Sequence, residues 1–255
     1  MGQIVSVDGG NHNITVFGNG TVFAGNGNDT ITTDGPGKFK AGNGNDSITI
    51  DGKGHITVGS GHDTIELLGS GTIHQHGSSG HDTISLGFGN DTIFEAGHAT
   101  IQGEFGGASV AGGAGSFTNS GWATHSETAL RGDVTLIGGE YSNQFVGGKG
   151  STLMQGGLGP DTFVGGSGHD TMMGGSNKNL FEFLSSEKGG QHVITNFVSG
   201  QDQLYLEGHS LSYLQAHSDI TVSGGNTHIS LDGGKTTIEL QGVTSLTKSD
   251  ITPHK

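Results

Sequence analysis

Five consecutive nine-residue blocks restrict this chain more than anything else in it. They run from Gly138 towards Phe183: GGEYSNQFV, GGKGSTLMQ, GGLGPDTFV, GGSGHDTMM and GGSNKNLFE. Each opens on two glycines and carries an apolar residue in its eighth place, namely Phe145, Met154, Phe163, Met172 and Phe181; Leu136 sits one step earlier. A fixed repeat this short means stacked coils of chain, not a mixed globular core.

One block can be read residue by residue. The glycines supply a turn that needs positive φ and close backbone approach. Asp or a substitute follows, then Thr, then the apolar residue, which reads as a short strand with one side chain pointing in. Asp161 and Asp170 stand where turn becomes strand. Turn carbonyls plus a carboxylate offer the hard oxygens that calcium takes in sets of about six to eight, with tolerance for irregular geometry.

GGLGPDTFV and GGSGHDTMM match the pattern GGxGxDxUx, with U a large apolar residue. They resemble the nonapeptide of the RTX (repeats-in-toxin) family. The resemblance implies an all-β fold, a parallel β-roll or β-solenoid with calcium in its turns, and a secreted protein that leaves the cell by type I secretion on an uncleaved C-terminal signal.

The N-terminal region repeats in another metre. GNGND occurs at Gly25–Asp29 and Gly42–Asp46, GSGHD at Gly59–Asp63 and SSGHD at Ser78–Asp82; these aspartates step by 17, 17 and 19. Between them lie turns without a carboxylate in that place, beginning at Gly18, Gly35, Gly52 and Gly69. Ile14, Ile31, Ile48 and Ile65 step by 17, as do Val22, Phe39, Ile56 and Ile73. The spacing predicts 17-residue coils of two strands and two unlike turns, with Asp29, Asp46, Asp63 and Asp82 stacked on one edge. The expected calcium ligands on that edge are these aspartates with Gly25, Gly27, Gly42, Gly44, Gly59, Gly61 and Gly80 of their turns. The opposite turns at Gly35–Lys38 and Gly52–His55 offer carbonyls but place lysine nearby, so no calcium is expected there.

Near Asp82 the step becomes nine. GFGND at Gly87–Asp91 adds Gly87, Gly89 and Asp91 to the expected ligands, with Asp91 on the formerly poor edge. Thr118–Arg131 (TNSGWATHSETALR) interrupts the repeats and reads as a loop or short helix over the roll, or as a contact element anchored by Trp122, the single tryptophan. In the second array alternate blocks share an edge, so Asn143, Asp161 and Asn179 fall together and Thr152 and Asp170 fall opposite. Asn lacks the charge, so weaker sites are expected there; calcium is assigned near Asp161 (with Gly157 and Gly159) and Asp170 (with Gly166 and Gly168), and not at Thr152.

The boundaries read as an N-terminal roll (1–117), an insertion (118–131), a nonapeptide roll (132–183) and a C-terminal β cap overlapping the secretion signal (184–255). In the last part Thr227–Leu231 and Thr236–Leu240 flank Asp232-Gly233-Gly234-Lys235 as a hairpin, and FxF, IxxF and GxDxLxL resemble the C-terminal flank of RTX proteins. The sequence fits one continuous roll and two separate ones equally.

Fifty-two glycines in 255 residues without a Gly-X-Y period exclude collagen, and regular apolar positions argue against disorder in the presence of metal. A net charge of −14 with ten Lys and Arg disfavours nucleic acid and anionic membrane and suits a protein neutralised by cations. No stretch reaches the length of a membrane span, and Met1–Gly10 shows no Sec-type signal. His62, His81 and His169 precede motif aspartates, where side chains face solvent; His74 and His76 form a possible transition-metal pair without a third ligand. HExxH, GxSxG and cysteine are absent, so no enzyme is expected. The expectation is a secreted calcium-binding protein that folds on extracellular calcium and has a structural, self-assembling role in a surface layer, fibre, matrix or adhesin. The alternatives are a module of a polysaccharide-modifying enzyme or a small β-solenoid enzyme, Glu95 and Glu104 being its candidate acid–base pair, and a glycan-binding module using Trp122.

Overall fold

The computed structural model describes residues 2–77, 79–103, 107–119, 125–129 and 133–252. The chain is a nearly all-β parallel solenoid with one short helix among the described residues, and it divides into two compact units, residues 1–125 and 126–255.

In the first unit the chain alternates between two parallel ladders. One holds Gln3–Ser6, Gly20–Gly25, Gly37–Ala41, Gly54–Val58, Gly71–Gln75 and the first half of Asn90–Gly103. The other holds Asn13–Val16, Thr30–Thr33, Ser47–Ile50, Thr64–Leu67, His81–Leu86 and the second half of Asn90–Gly103. The 17-residue step is therefore one coil. Ile14, Ile31, Ile48, Ile65, Ile84 and Ile101 pair in register, and so do Val22, Phe39, Ile56, Ile73 and Ile93.

These two rows fill the interior, and each strand adds a second inward residue two places on: Val16, Ile50, Leu67 and Leu86 in one ladder, Ala41 and Val58 in the other. Side chains alternate about the pleat, so the residues between them face out. Each buried Ile, Leu or Val contributes about 1.5–3 kcal/mol over an exposed one. That is how a chain so rich in glycine, whose ordering is entropically costly, holds a core.

The coil length persists past Asp82, Ile84 pairing with Ile101 and Ile93 with Val110; the step of nine from Asp82 to Asp91 spans half a coil, from one ladder to the other. Asn90–Gly103 is a single strand that crosses from one ladder to the other, with its register irregularity between Glu95 and His98, and Gly107–Asn119 pairs along it. Ala99 stands opposite Asp82, which ends the aspartate series. Of the insertion at 118–131, the described part includes a strand, His125–Ala129, in place of the expected loop or helix. Trp122 lies outside the described residues, and so does Glu104.

In the second unit the shared edge recurs every two nines. Leu136, Met154, Met172, Ile194 and Leu240 line one ladder; Phe145, Phe163, Phe181, Leu204 and Ile251 line the other. The phenylalanine rings stack with centroids 5.1 and 4.9 Å apart. Parallel pairing continues past Phe183, through Gln191–Ile194, Gln203–Leu206, Thr236–Leu240 and Ile251–Thr252. The expected hairpin forms: Thr227 pairs with Leu240 and Leu231 with Thr236, antiparallel, and Ile220–Ser223 adds outside it. The helix Leu211–Ala216 is capped by Ser210, whose Oγ accepts from the Tyr213 N–H at 3.3 Å.

Candidate metal centre

Each GNGND-type turn of the first unit delivers its aspartate to the same edge. The glycines make this possible. Gly44 has φ +137° and Gly61 φ +148°, and a Cβ on either would overlap the carbonyl oxygen of the glycine one coil earlier, Gly27 or Gly44. Only glycine lets adjoining turns approach this closely.

The carboxylates form a chain of hydrogen bonds. The His12 N–H donates to Asp29 Oδ1 at 2.8 Å, the Asp29 N–H to Asp46 Oδ1 at 2.8 Å, the Asp46 N–H to Asp63 Oδ1 at 2.9 Å and the Asp63 N–H to Asp82 Oδ1 at 2.8 Å. Each N–H thus points at the carboxylate of the following coil, which fixes one oxygen and leaves the other. Oδ2 of Asp29, Asp46 and Asp63 is buried with no hydrogen-bond partner. Asp82 is also contacted by the Gln75 side chain.

A row of buried anions, one per coil, is unfavourable. Burial pushes Asp63 up to about 7, the charges of Asp82, Asp46 and Glu95 adding to it. Burial, with repulsion from Asp29, pushes Asp46 up to about 6, and burial raises Asp82. A cation at Oδ2 removes both penalties. Among the described residues no three His, Cys, Asp or Glu side chains converge on one point, so an ion here takes one or two carboxylates and fills its shell from main-chain oxygens. That donor set suits calcium and is too hard and too poor in nitrogen for zinc. Asp29, Asp46, Asp63 and Asp82, with their turns at Gly25–Gly27, Gly42–Gly44, Gly59–Gly61 and Gly80, would hold it.

The asparagines of the same turns make ladders that spacing alone did not single out. Asn11, Asn28 and Asn45 each accept, through Oδ1, the N–H of the residue 17 places on (Asn28, Asn45, His62) at 2.8–2.9 Å. Asn26 and Asn43 do the same for Asn43 and Ser60. His62 belongs to this row; it is exposed, as expected, and its Nδ1 also accepts from the His81 N–H at 3.1 Å. The signal was the Asn itself, an acceptor repeated at fixed spacing.

On the opposite edge glycine fills the aspartate's place. Gly20, Gly37, Gly54 and Gly71 align with Asp91. Asp91 accepts from the Gly71 N–H at 2.7 Å, and burial pushes it up to about 6. Gly87 and Gly89 form its turn. His74 and His76 stack at 6.1 Å, with His74 on Phe94 at 4.7 Å, so the pair packs as aromatic surface.

The second unit solves the same problem differently. Asn143, Asp161, Asn179 and Asp202 follow one another on one edge. The Asn143 N–H donates to Asp161 Oδ1 at 2.7 Å, the Asp161 N–H to Asn179 Oδ1 at 3.0 Å and the Asn179 N–H to Asp202 Oδ1 at 2.9 Å. Asp161 Oδ2 accepts from the Gly157 N–H at 3.0 Å and Asp202 Oδ2 from the Val198 N–H at 2.9 Å. Burial raises both aspartates, against these donors. Beyond them, burial works against the charge of Asp250, yet Thr247, Ser199 and Gly200 donate to it and hold it below the usual carboxylate range. On the other edge Thr152, Asp170 and His192 align; Asp170 Oδ1 accepts from the Thr152 N–H at 3.2 Å and Oδ2 stands 3.0 Å from His192 Nδ1. Burial and the charge of Asp170 raise Glu187 nearby. Gly159, Gly166 and Gly168 line these turns, where a Cβ would strike main-chain atoms of the preceding coil. Asp202, Asp250 and His192 lie beyond the repeat blocks; only GQDQLYL carried a trace of the motif.

The profile of the RTX calcium-binding nonapeptide repeat matches four copies, at residues 15–35, 76–94 and 146–180. These segments contain Asp29, Asp82, Asp91, Asp161 and Asp170, and the coils of Asp46 and Asp63 share their register. No curated protein matches the chain. The chain carries RTX repeats on a parallel β-roll.

Proposed function

We propose that this RTX β-roll protein is an extracellular calcium-binding protein whose first unit folds when calcium fills the Asp29–Asp82 edge, and that its role is structural and self-assembling. The observation that carries the calcium reading is the row of buried Oδ2 atoms without partners on Asp29, Asp46 and Asp63. Where calcium is scarce the buried charges oppose the coil; where it is plentiful the free energy of binding becomes free energy of folding. RTX repeats are calcium-binding and typically extracellular, which supports export by type I secretion before folding.

The self-assembling part is supported by the other edge. Phe17 (72% exposed), Leu68 and Phe88 (65% exposed) stand out beside the glycine-lined turns of the first unit. Leu68 and Phe88 are neighbours in adjoining coils, and Phe17 stands three coils from Leu68 beyond Asp34 and Asp51; adjoining exposed apolar side chains mark contact surfaces. The test is far-UV circular dichroism with light scattering while calcium is titrated into chelator-treated protein. A cooperative gain of β-structure with particle growth is expected, the growth being lost in Phe17→Ser/Phe88→Ser. A β-signal indifferent to chelator overturns the calcium reading, and folding without growth overturns assembly.

A second reading, an acidic polysaccharide partner, is favoured by one observation. The three Lys and Arg residues of the first unit, Lys38, Lys40 and Lys53, all lie on or beside one ladder, with His55 next to Lys38 and half-exposed Phe23 next to Lys40. Retention of a short uronate oligomer by the calcium-loaded protein, lost in Lys38→Glu/Lys40→Glu, supports it; equal retention by the variant removes it.

A further inference from the structure

We infer that the Asn143–Asp161–Asn179–Asp202 edge of the second unit holds no calcium, because asparagine amides already occupy the cation's role. This departs from what the repeat motif alone assigns to Asp161. It rests on the calcium reading of the Asp29–Asp82 edge.

The two edges share a backbone pattern and differ in one atom. In both, the N–H of each residue in the series donates to the side-chain oxygen of the next. In the first unit the second atom of each side chain is another oxygen, Oδ2, which can only accept. In the second unit alternate members are asparagines, whose second atom is Nδ2, which can only donate. Asn143 Nδ2 donates to the Tyr141 carbonyl at 2.7 Å and to Asp161 Oδ1 at 3.0 Å. Asn179 Nδ2 donates to the Asn177 carbonyl at 3.2 Å and to Asp202 Oδ1 at 3.2 Å. A turn carbonyl and the carboxylate of the neighbouring coil are the pair of oxygens a calcium ion would collect. The amide collects them instead.

The remaining oxygens are taken as well. Asp161 Oδ2 and Asp202 Oδ2 accept main-chain N–H groups. The series then runs into Asp250, fully buried, whose carboxylate accepts from the Gly200 and Thr247 N–H groups and from the Ser199 and Thr247 hydroxyls at 2.7–3.0 Å. Calcium entering here would have to break these bonds and turn an NH2 away from its acceptors. Charge alternation reinforces this. Asp161 and Asp202 are separated by a neutral Asn179, whereas Asp46 has an aspartate on either side. The opposite edge is a separate matter: Asp170 Oδ1 accepts from the Thr152 N–H, but Asp170 Oδ2, 3.0 Å from His192 Nδ1, has no hydrogen-bond partner, and neither has Glu187 Oε2 nearby.

Hydrogen exchange on the full chain separates the units. In an Asp170→Asn background, which silences the opposite edge, calcium at about 100 times its Kd is expected to raise protection of amides in residues 30–67 about 100-fold over chelator, and protection in residues 162–206 by less than about threefold. With Asn179→Asp added, which makes a run of carboxylates from position 161 to 202, protection of residues 162–206 becomes calcium-dependent. Loss of protection in both units together in chelator, in the Asp170→Asn background, overturns the inference while leaving the calcium reading standing. Protection that ignores chelator in both units overturns the calcium reading, and this inference with it. An Asn179→Asp variant as indifferent to calcium as the parent also overturns it.

Discussion

Removing calcium should reverse the usual effect of pH on this protein. Asp63 is pushed from 3.8 up to about 7, and Asp46 and Asp91 to about 6, chiefly by burial. In an unfolded chain all three ionise near the ordinary 3.8. Between these values the metal-free folded unit therefore binds more protons than the unfolded one. Stability then falls as pH rises: it is fully present below about pH 4 and lost by about pH 7. At about 1.4 kcal/mol per pH unit, the gap at Asp63 alone is worth about 4 kcal/mol. Asp46 and Asp91 add about 3 kcal/mol each as an upper bound. These bounds sum to about 10 kcal/mol; water penetration and side-chain relaxation lower the effective penalty of burial, and we take about half, about 5 kcal/mol, for the first unit. That is comparable with the whole stability of a small domain. The assay is guanidinium denaturation of chelator-treated protein at pH 4.5 and 7.5. With m of about 4 kcal/mol/M, the midpoint of the first unit falls by about 1 M at the higher pH. With saturating calcium the order reverses, because the ligands must be ionised to bind. A metal-free midpoint that stays level or rises towards pH 7.5 would refute the argument that these carboxylates are buried without compensation.

Other substitutions test separate parts of the architecture. Gly61→Ala, at φ +148° and facing the Gly44 carbonyl, should cost several kcal/mol and raise the calcium midpoint of folding, read by circular dichroism. Phe163→Ala opens a cavity between Phe145 and Phe181 and should destabilise the second unit by about 3–5 kcal/mol in calcium and in chelator alike, read by denaturant midpoint. Asp46→Asn places a donor amide beside Asp63 and should lower the number of calcium ions bound in calorimetry while making the metal-free unit more stable at pH 7; unchanged stoichiometry would count against the edge as the site.

Much of this was legible in the residues. The steps of 17 and of nine give coil length, and which Ile, Val, Phe and Met face inward, because a parallel stack repeats each position at fixed spacing. The edge bearing Asp29, Asp46, Asp63 and Asp82 follows from the same count. What the count could not show is where a turn is dropped. Asn90–Gly103 takes two ladders in one strand, and the glycines near it no longer mark corners. Nor could it show that Asp202, Asp250 and His192 continue the edges of the second unit, since longer turns stretch the coils that end at His192 and Asp202, and a helix and antiparallel strands precede Asp250.

The roll, its register and its oxygen-rich turns were thus determined by sequence alone, because periodicity and glycine stereochemistry act locally and repeat. Which carboxylates are left in want of a cation was decided only in the tertiary structure. Asp63 and Asp161 occupy the same place in their motifs. One has bare oxygen beside it and the other a neighbouring amide, and that difference exists only once coils a full turn apart are brought into contact.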